Sequence, residues 1–380
     1  MPDITPFSIA ATDAELDDLK RRLATTRWPD AETPDDWTQG IPLAYMKEVV
    51  EYWREGYDWR SREARLNQWP GFRTEVDGLG VHFLHVESKV PGARPLLMTH
   101  GWPGSIVEFQ KVIGPLTDPE AHGGKAEDAF TLIAPTLPGF GYSDKPTEPG
   151  WGIEKIARAW NTLMVQLGYD AYFAQGGDWG SIVTTEIGAQ NLGNCRGIHV
   201  TMPIVGPDPE TMDDLTALEQ EALRAAQFYQ DQDSGYSKQQ ATRPQTLGYG
   251  LADSPSGQAA WILEKFYQWM DCDGHPENIV SRDELLDNVM LYWLPDAGAS
   301  SARIYWESMG RSNMAAPVNV PSGCSIFPKE IFKASERWAS KRFLDLRYFN
   351  VLDKGGHFAA FEQPAAFVEE VRACFRKMSL

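Results

Sequence analysis

A glycine-flanked aspartate near the middle of the chain is the residue best suited to covalent chemistry. Asp178 stands in the run Gln-Gly-Gly-Asp-Trp-Gly-Ser at 175–181, between an apolar strand-like run and a helix-like run. A sharp strand-to-helix turn of this kind pushes its central side chain into a cleft, and small neighbours avoid a clash in the bend. A carboxylate nucleophile forms an ester with a saturated carbon, and water must then cleave that ester. The alternative is a glycine-rich turn in which Asp178 caps a helix.

A second motif has the residues of an oxyanion hole. The run Thr-His-Gly-Trp-Pro-Gly-Ser at 99–105 follows an apolar strand-like run at 95–98. In an oxyanion hole, backbone N–H groups bind the oxygen that becomes negative during the reaction. The sequence predicts this role for the amides of Trp102 and Trp179, and it leaves a cis bond before Pro103 open. Taken alone, the run also fits an ordinary Gly-Pro turn.

A histidine near the C-terminus could activate the water. His357 follows two glycines and comes after Asp178 in chain order, where folds built on such an elbow place the base. An acid must orient its ring. The candidates on chain order are Glu330, Asp345, Asp353 and Glu336. We assign structural roles to the remaining histidines, which are His82, His85, His100, His122, His199 and His275.

These motifs, with others in the same order, resemble the epoxide hydrolases of the α/β-hydrolase superfamily, in their microsomal-type branch with an N-terminal extension. The other matching runs lie at 137–141, 253–255, 261–266 and 355–364, so the resemblance covers nearly the whole chain. The family pattern of FPxE, a Trp and GGHF falls here on Glu330, Trp338 and His357. The resemblance therefore implies that Glu330 is the orienting acid. It also implies two lid tyrosines, Tyr236 and Tyr305, that protonate the epoxide oxygen.

The resemblance implies an enzyme that converts an epoxide and water into a vicinal diol, without a cofactor or a metal. Asp178 would open the ring, and His357 would activate the water that cleaves the resulting ester. Phe140, Trp151 and Phe358, with the indoles of Trp102 and Trp179, are expected to line an apolar pocket. Detoxification of a foreign epoxide and a step of secondary metabolite biosynthesis fit this activity equally.

Two other functions deserve comparison. A haloalkane dehalogenase also uses an elbow aspartate and a late histidine, but it does not need paired lid tyrosines. A non-catalytic ligand-binding protein on the same scaffold would be free to lose catalytic residues. Because nucleophile, base, acid and both tyrosines are present, the sequence favours the epoxide hydrolase. Halide release, set against diol formation, separates the first rival, and turnover in labelled water excludes the second.

The composition of the chain limits the kinds of partner and cofactor that we expect. The net charge of −18 argues against nucleic acid, and the four scattered cysteines indicate reduced thiols in a reducing compartment. No metal-ligand spacing and no dinucleotide fingerprint occurs. The N-terminus lacks the features of a signal peptide, and no run reaches the ~18 apolar residues of a spanning helix. We therefore expect a soluble cytoplasmic enzyme with a small-molecule substrate and no membrane partner, and a homodimer stays open.

Strand-like and helix-like runs alternate along much of the chain, which predicts an α/β fold with a mostly parallel sheet and helices on both faces. Residues 1–80 are interpreted as an N-terminal wrapping extension, whose first helix would be capped by Asp13. Residues 81–206 and 321–380 are interpreted as the hydrolase core, and 207–320 as a helical lid inserted into it. The predicted strands lie at 81–86, 95–99, 130–134, 171–175 and 197–201.

Overall fold

The computed structural model describes residues 3–379, and its centre is one nine-stranded sheet. The strands are β1 (Thr5–Phe7), β2 (Gly71–Val76), β3 (Leu79–Val86), β4 (Arg94–Thr99), β5 (Phe130–Pro135), β6 (Tyr172–Gly176), β7 (Cys195–Val200), β8 (Ser322–Ile326) and β9 (Leu346–Val351). Their order across the sheet is β1-β2-β3-β5-β4-β6-β7-β8-β9. All five strands predicted from the sequence are present, with ends shifted by one or two residues.

The sheet is parallel from β5 to β9 and antiparallel from β1 to β5. The central strands β4 and β6 are neighbours, and Thr99 at the end of β4 pairs with Gly176 at the end of β6. Because parallel strands end at the same edge of a sheet, the loops after β4 and β6 meet there. Topology thus brings the 99–105 loop to Asp178, 76 residues away in the chain.

Helices cover both faces of the sheet and fill the interval between β7 and β8. They are α1 (Asp13–Ala24), α2 (Leu43–Glu55), α3 (Trp59–Leu66), α4 (Ile113–Thr117), α5 (Ile153–Gln166), α6 (Trp179–Gln190), α7 (Ala217–Phe228), α8 (Gly235–Thr242), α9 (Pro244–Asp253), α10 (Pro255–Trp269), α11 (Arg282–Trp293), α12 (Gly298–Ser308), α13 (Glu336–Arg342), α14 (Ala359–Glu362) and α15 (Pro364–Arg376). Helices α7 to α12 stand between β7 and β8, within the segment interpreted as a lid. Among residues 3–379, none of these helices combines the length and the apolar character that crossing a membrane demands.

The first helix differs from its prediction at the cap. Thr12, not Asp13, is the N-cap residue of α1, because its hydroxyl accepts the Glu15 amide while the Glu15 carboxylate accepts the Thr12 amide. This reciprocal capping box satisfies two helix-end donors at once, which an aspartate one position later cannot do. The N-terminal segment also adds β1 and β2 to the sheet, and the sequence had not indicated these two strands.

The N-terminal segment is tied to helix α11 and the turn before it by tyrosines that reach acidic partners. The Tyr45 hydroxyl donates to Glu277 at 2.9 Å and the Tyr52 hydroxyl to Asp283 at 2.7 Å. Each bond joins residues more than 200 positions apart. Hydrogen bonds to charged acceptors contribute about 1.5–3 kcal/mol each. These bonds therefore hold α11 and the turn before it against the N-terminal segment.

Candidate active site

Asp178 stands between β6 and α6 in a backbone conformation that side chains rarely adopt. Its φ is 51° and its ψ is −128°. A non-glycine residue in such a region costs on the order of 1–3 kcal/mol and persists only where the surroundings enforce it. The surroundings are close: a Cβ added at Gly180 would overlap the Thr99 carbonyl at the end of β4. The turn thus has the geometry of the elbow expected from the sequence.

The 99–105 loop supplies a donor to this carboxylate. The Trp102 amide donates to Asp178 Oδ1 at 2.7 Å, and the Trp102–Pro103 bond is cis. A Cβ at Gly101 would strike the same carboxylate, so only glycine permits this approach. Trp179, the second predicted donor, is the first residue of α6, and its amide makes no hydrogen bond to Asp178 within residues 3–379.

His357 lies against the other carboxylate oxygen. Its Nε2 is 3.1 Å from Asp178 Oδ2, and its Nδ1 is 2.6 Å from Glu330 Oε1. All three side chains are largely buried, and the histidine amide donates to the Trp269 carbonyl at the end of α10. The structure therefore brings together nucleophile, base and acid candidates in one hydrogen-bonded line.

The rival acids lie elsewhere. Asp345 pairs with Arg347, while Asp353 and Glu336 are exposed on the surface. None of the three has a hydrogen bond to His357 among the described residues. Glu330 has no basic partner other than His357 among the described residues: its Oε1 accepts the Ile331 amide at 2.7 Å besides facing His357, and its Oε2 is buried without a hydrogen-bond partner in this part of the chain.

The charge on His357 depends on its two carboxylate neighbours. Burial disfavours the imidazolium, but the carboxylates of Glu330 and Asp178 outweigh burial and hold the pKa of His357 well above its usual value. Neutralising either carboxylate removes part of this stabilisation. The protonation of His357 is thereby linked to the charge state of Asp178.

Two tyrosines lie beside the candidate site, next to Trp102 and Trp179. Tyr236 on α8 and Tyr305 on α12 have ring centroids 5.8 Å apart, and burial raises the pKa of each hydroxyl well above 10. Trp102 stacks on Tyr236 at 5.0 Å, and Trp179 meets Tyr305 edge-on at 4.8 Å. The Tyr305 hydroxyl is buried and has no hydrogen-bond partner among residues 3–379. Both hydroxyls are thus neutral donors held in an aromatic enclosure.

Three of the five predicted pocket residues, Phe140, Trp151 and Phe358, lie in different places. Phe358 packs beside His357, with ring centroids 5.0 Å apart. Phe140 contacts His100, at 5.4 Å, underneath the oxyanion loop. Trp151 lines a separate surface cavity of about 720 Å³ with residues of α12. Their contact with substrate stays a prediction.

Comparison with known proteins agrees with this geometry. Residues 4–109 match the family described as "Epoxide hydrolase N terminus", and residues 94–251 match "alpha/beta hydrolase fold". A protein named "Putative epoxide hydrolase", from Stigmatella aurantiaca, is 56% identical over 375 residues, which are 99% of this chain and 85% of that protein. The chain belongs to the epoxide hydrolase family.

Other members of the family are similar in sequence and in structure. Epoxide hydrolase 1 of Sus scrofa is 36% identical over 97% of this chain and 88% of its own length. The solved structure of Aspergillus niger epoxide hydrolase matches with a TM-score of 0.90 at 30% identity, covering 99% of this chain and 97% of that one. The predicted α/β-hydrolase fold and the predicted enzyme class are therefore confirmed.

Two carboxylates near the site of this epoxide hydrolase were missed by the sequence analysis. Glu362 accepts the amides of Gly356 and Phe358, at 2.9 Å each, and so grips the loop on both sides of His357. Burial raises the pKa of Glu362 to about 7. Burial also raises the pKa of Glu108, just beyond the oxyanion loop, to about 8, against the lowering effect of His357. Sequence could have flagged Glu362, since it lies within the run matched at 355–364.

Asn288 on α11 was also missed, and its side chain is hydrogen-bonded to two residues of the 99–105 loop. Its Nδ2 donates to the Pro103 carbonyl at 2.7 Å, and its Oδ1 accepts the Ser105 hydroxyl at 2.7 Å. The adjacent Asp287 accepts from Tyr57 and Arg62 of the N-terminal segment. The segment, α11 and the oxyanion loop thus form one hydrogen-bonded unit.

Asn288→Ala is expected to slow ester hydrolysis about tenfold, because the freed loop no longer holds the Trp102 amide in place. The buried Pro103 carbonyl also loses its partner, which lowers the free energy of unfolding by about 1–3 kcal/mol. Single-turnover kinetics and urea unfolding measure the two effects. Asn278→Ala is the matched control, since that exposed amide bonds only to the carbonyls of Cys272 and Asp273. Unchanged hydrolysis in Asn288→Ala would show that α11 does not position the oxyanion donor.

Proposed function

We propose that this epoxide hydrolase works in two steps through an ester on Asp178. One observation carries the proposal: the Asp178 carboxylate contacts the Trp102 amide through one oxygen and His357 through the other, beside two neutral tyrosines. A carboxylate held in this way has a nucleophilic oxygen, an oxyanion donor and a base within reach.

The first step opens the ring. An Asp178 oxygen attacks an epoxide carbon and forms a C–O bond while the carbon–oxygen bond of the ring breaks. The alkoxide is a poor leaving group, so Tyr236 and Tyr305 donate hydrogen bonds to it and one of them transfers its proton. The products of the step are a hydroxyalkyl ester on Asp178 and a phenolate. His357, which is protonated at rest, then gives its proton to the phenolate and enters the second step as a neutral ring.

The second step cleaves the ester. His357, oriented by Glu330, takes a proton from water, and the resulting hydroxide attacks the ester carbonyl. The Trp102 amide stabilises the oxyanion that forms. Collapse breaks the bond to the alkyl oxygen, the diol takes the proton of the new carboxyl group, and His357 keeps the proton that it took from water, which restores the resting site. The sum is epoxide plus water to diol.

The surroundings favour an apolar epoxide. Trp102, Trp179, Tyr236, Trp269 and Tyr305 surround the catalytic carboxylate with aromatic rings. Such a lining binds apolar groups and excludes water from the first step. The solved structure of juvenile hormone epoxide hydrolase from the silkworm Bombyx mori matches this chain with a TM-score of 0.88 at 30% sequence identity.

A single turnover in ¹⁸O-labelled water, with enzyme in excess, tests the ester directly. The diol oxygen then comes from Asp178, so the label is expected in the Asp178 carboxylate and absent from the diol. Mass spectrometry of the peptide that contains Asp178 measures the exchange. Label in the diol after one turnover would mean that water attacks the epoxide directly. The same protein incubated with a haloalkane checks for halide release, which we expect to be absent.

Removal of both tyrosine hydroxyls is expected to nearly abolish ring opening. Tyr236→Phe and Tyr305→Phe should each slow it by about ten- to a thousandfold, because one donor remains, and the double variant should lose far more. Rapid-quench measurement of ester formation is the test. Tyr249→Phe serves as control, since that lid tyrosine is 73% exposed. A double variant with unimpaired ester formation would show that other groups protonate the oxygen.

Ester hydrolysis is expected to speed up as pH rises. In the free enzyme the Asp178 charge helps to keep His357 protonated, with its pKa above the usual value. Alkylation neutralises Asp178, so the pKa of His357 falls and the ring becomes a base. The hydrolysis rate should therefore increase with pH and level off above the lowered pKa, across about pH 5 to 8. Glu330→Gln should move this rise to lower pH. Decay of the ester in single-turnover fluorescence measures both profiles, and a flat profile would contradict the link.

A cytoplasmic location, which the scattered cysteines indicate, is part of the same proposal, and a homodimer is to be tested with it. Light scattering of the purified chain and fractionation of the producing cells test them.

A further inference from the structure

A third tyrosine lies against the acid pair. Residues Tyr229–Asp233 form a π-helical turn between α7 and α8, and such turns are frequent at functional sites. The Tyr229 hydroxyl is 3.2 Å from the Tyr236 hydroxyl. The same turn contains Asp233, which accepts hydrogen bonds from the Lys265 ammonium and from the Trp269 indole. The family resemblance indicated Tyr236 and gave no role to Tyr229.

The direction of the hydrogen bonds follows from counting protons. The Ser237 hydroxyl donates to the Ser234 carbonyl at 2.9 Å, because a carbonyl can only accept. Its one proton is then used, so Tyr229 donates to Ser237 across 3.1 Å. Tyr229 likewise has one proton, so Tyr236 donates to Tyr229. In the resting site the Tyr236 proton therefore points at Tyr229, while the Tyr305 hydroxyl has no partner within residues 3–379.

Binding of the substrate reverses the direction of these hydrogen bonds. When Tyr236 donates its proton to the epoxide oxygen, it no longer donates to Tyr229. The hydrogen bond between the two tyrosines then survives only if the Tyr229 hydroxyl rotates away from Ser237 and donates to Tyr236. Once Tyr236 has given up the proton, its phenolate oxygen is a charged acceptor. A hydrogen bond to a charged group is about twice as strong as a neutral one.

We propose that Tyr229 is a positioning residue that makes Tyr236 the proton-donating member of the pair, by donating a hydrogen bond to the Tyr236 phenolate formed on ring opening. This rests on the proposed function of the two tyrosines. The epoxide oxygen gains the Tyr236 proton, Asp178 gains the carbon, and the negative charge moves from Asp178 to Tyr236. The phenolate recovers a proton from His357 before hydrolysis. Tyr305 supplies a hydrogen bond and keeps its proton.

The surroundings of Tyr236 fit this role. The Lys265 ammonium lies 4.8 Å from the centre of the Tyr236 ring, and Trp102 stacks on the same ring at 5.0 Å. Lys265 is paired with the carboxylates of Asp233 and Glu264, and this ion pair together with the stacked Trp102 holds the ring with its hydroxyl within reach of Tyr229. Tyr305 has three aromatic neighbours, which are Trp102, Trp179 and Tyr236, and no cation lies over its ring among the described residues.

Rapid-quench measurement of ester formation in a double-mutant cycle tests the proposal. Tyr229→Phe is expected to slow ring opening about ten- to a hundredfold, with little change in the dissociation constant of the epoxide. The loss should vanish in a Tyr236→Phe background and persist in a Tyr305→Phe background. It should also shrink for epoxides with electron-withdrawing substituents, whose alkoxides need a proton less.

Ser237→Ala gives an effect of opposite sign. It removes the competing acceptor, so Tyr229 can donate to Tyr236 at all times and ring opening should become faster. A purely structural role for this cluster would slow ring opening in both variants and would overturn the proposal. So would an equal loss from Tyr229→Phe with and without the Tyr236 hydroxyl. If Tyr236→Phe slows ring opening and Tyr229→Phe does not, only this inference fails. If Tyr236→Phe has no effect, the acid pair itself is wrong and the inference falls with it.

Discussion

Asp178→Asn is expected to reduce turnover by at least about 10⁴-fold, because an amide oxygen is too weak a nucleophile to open the ring. The side chain keeps its size, so the strained elbow and the Trp102 contact should survive. Steady-state diol formation on freshly purified protein is the measurement. Turnover at the wild-type rate would refute Asp178 as the nucleophile.

Two variants make this experiment specific. Asp170→Asn is the matched control, because Asp170 lies just before β6 and Asp178 just after it. The Asp170 carboxylate is exposed, so this variant should leave turnover unchanged. The second control concerns recovery, because water activated by His357 can hydrolyse the new amide back to a carboxylate. Asp178→Asn combined with His357→Gln blocks that route, so return of the carboxylate, read from the mass of the peptide that contains position 178, should occur in the single variant alone.

His357→Gln is expected to trap the reaction half-way. Ring opening does not need the base, so Asp178 should still be alkylated, while ester hydrolysis should slow by on the order of 10³- to 10⁴-fold. Intact-protein mass spectrometry should then show an increase equal to the mass of the epoxide. The increase should map to the peptide that contains Asp178.

The control for this variant is His122→Gln, which changes an exposed histidine far along the chain from the site. It should turn over substrate normally and show no adduct. If His357→Gln is inactive and carries no added mass, the two-step mechanism is wrong for this enzyme. If the adduct forms and clears at the wild-type rate, another group is the base.

Local sequence was enough to locate the main parts of the site. Glycine on both sides of Asp178 indicated a bend that only a small neighbour tolerates, and the structure has that bend, with a φ of 51°. Likewise the Gly-Trp-Pro-Gly loop indicated an amide donor, and Trp102 donates to Asp178. Such features can be predicted from the sequence because the backbone geometry of the turn requires a particular residue type.

Other features have no local signature. Chain order left four acids open for His357, and only resemblance favoured Glu330, which lies 2.6 Å from the ring. Asn288 and Glu362 act through buried hydrogen bonds to loops that are distant in the sequence or that turn back on themselves. The cap of α1 was misassigned by one residue, because Thr12 and Asp13 both suit the role and only the backbone decides.

By itself, then, the sequence determined the fold class through the alternation of its strand-like and helix-like runs. It also located the turn that holds Asp178, the loop that carries Trp102 and the late His357, since each lies in a short run whose residue types the backbone or the chemistry requires. The tertiary structure alone decided what surrounds them. It brought Tyr229 to Tyr236 through a π-helical turn, left Tyr305 without a partner among residues 3–379, and tied the N-terminal segment to α11. The reason is physical: hydrogen-bond partners and the charge state of a buried group depend on distances between elements, and no local pattern specifies those distances.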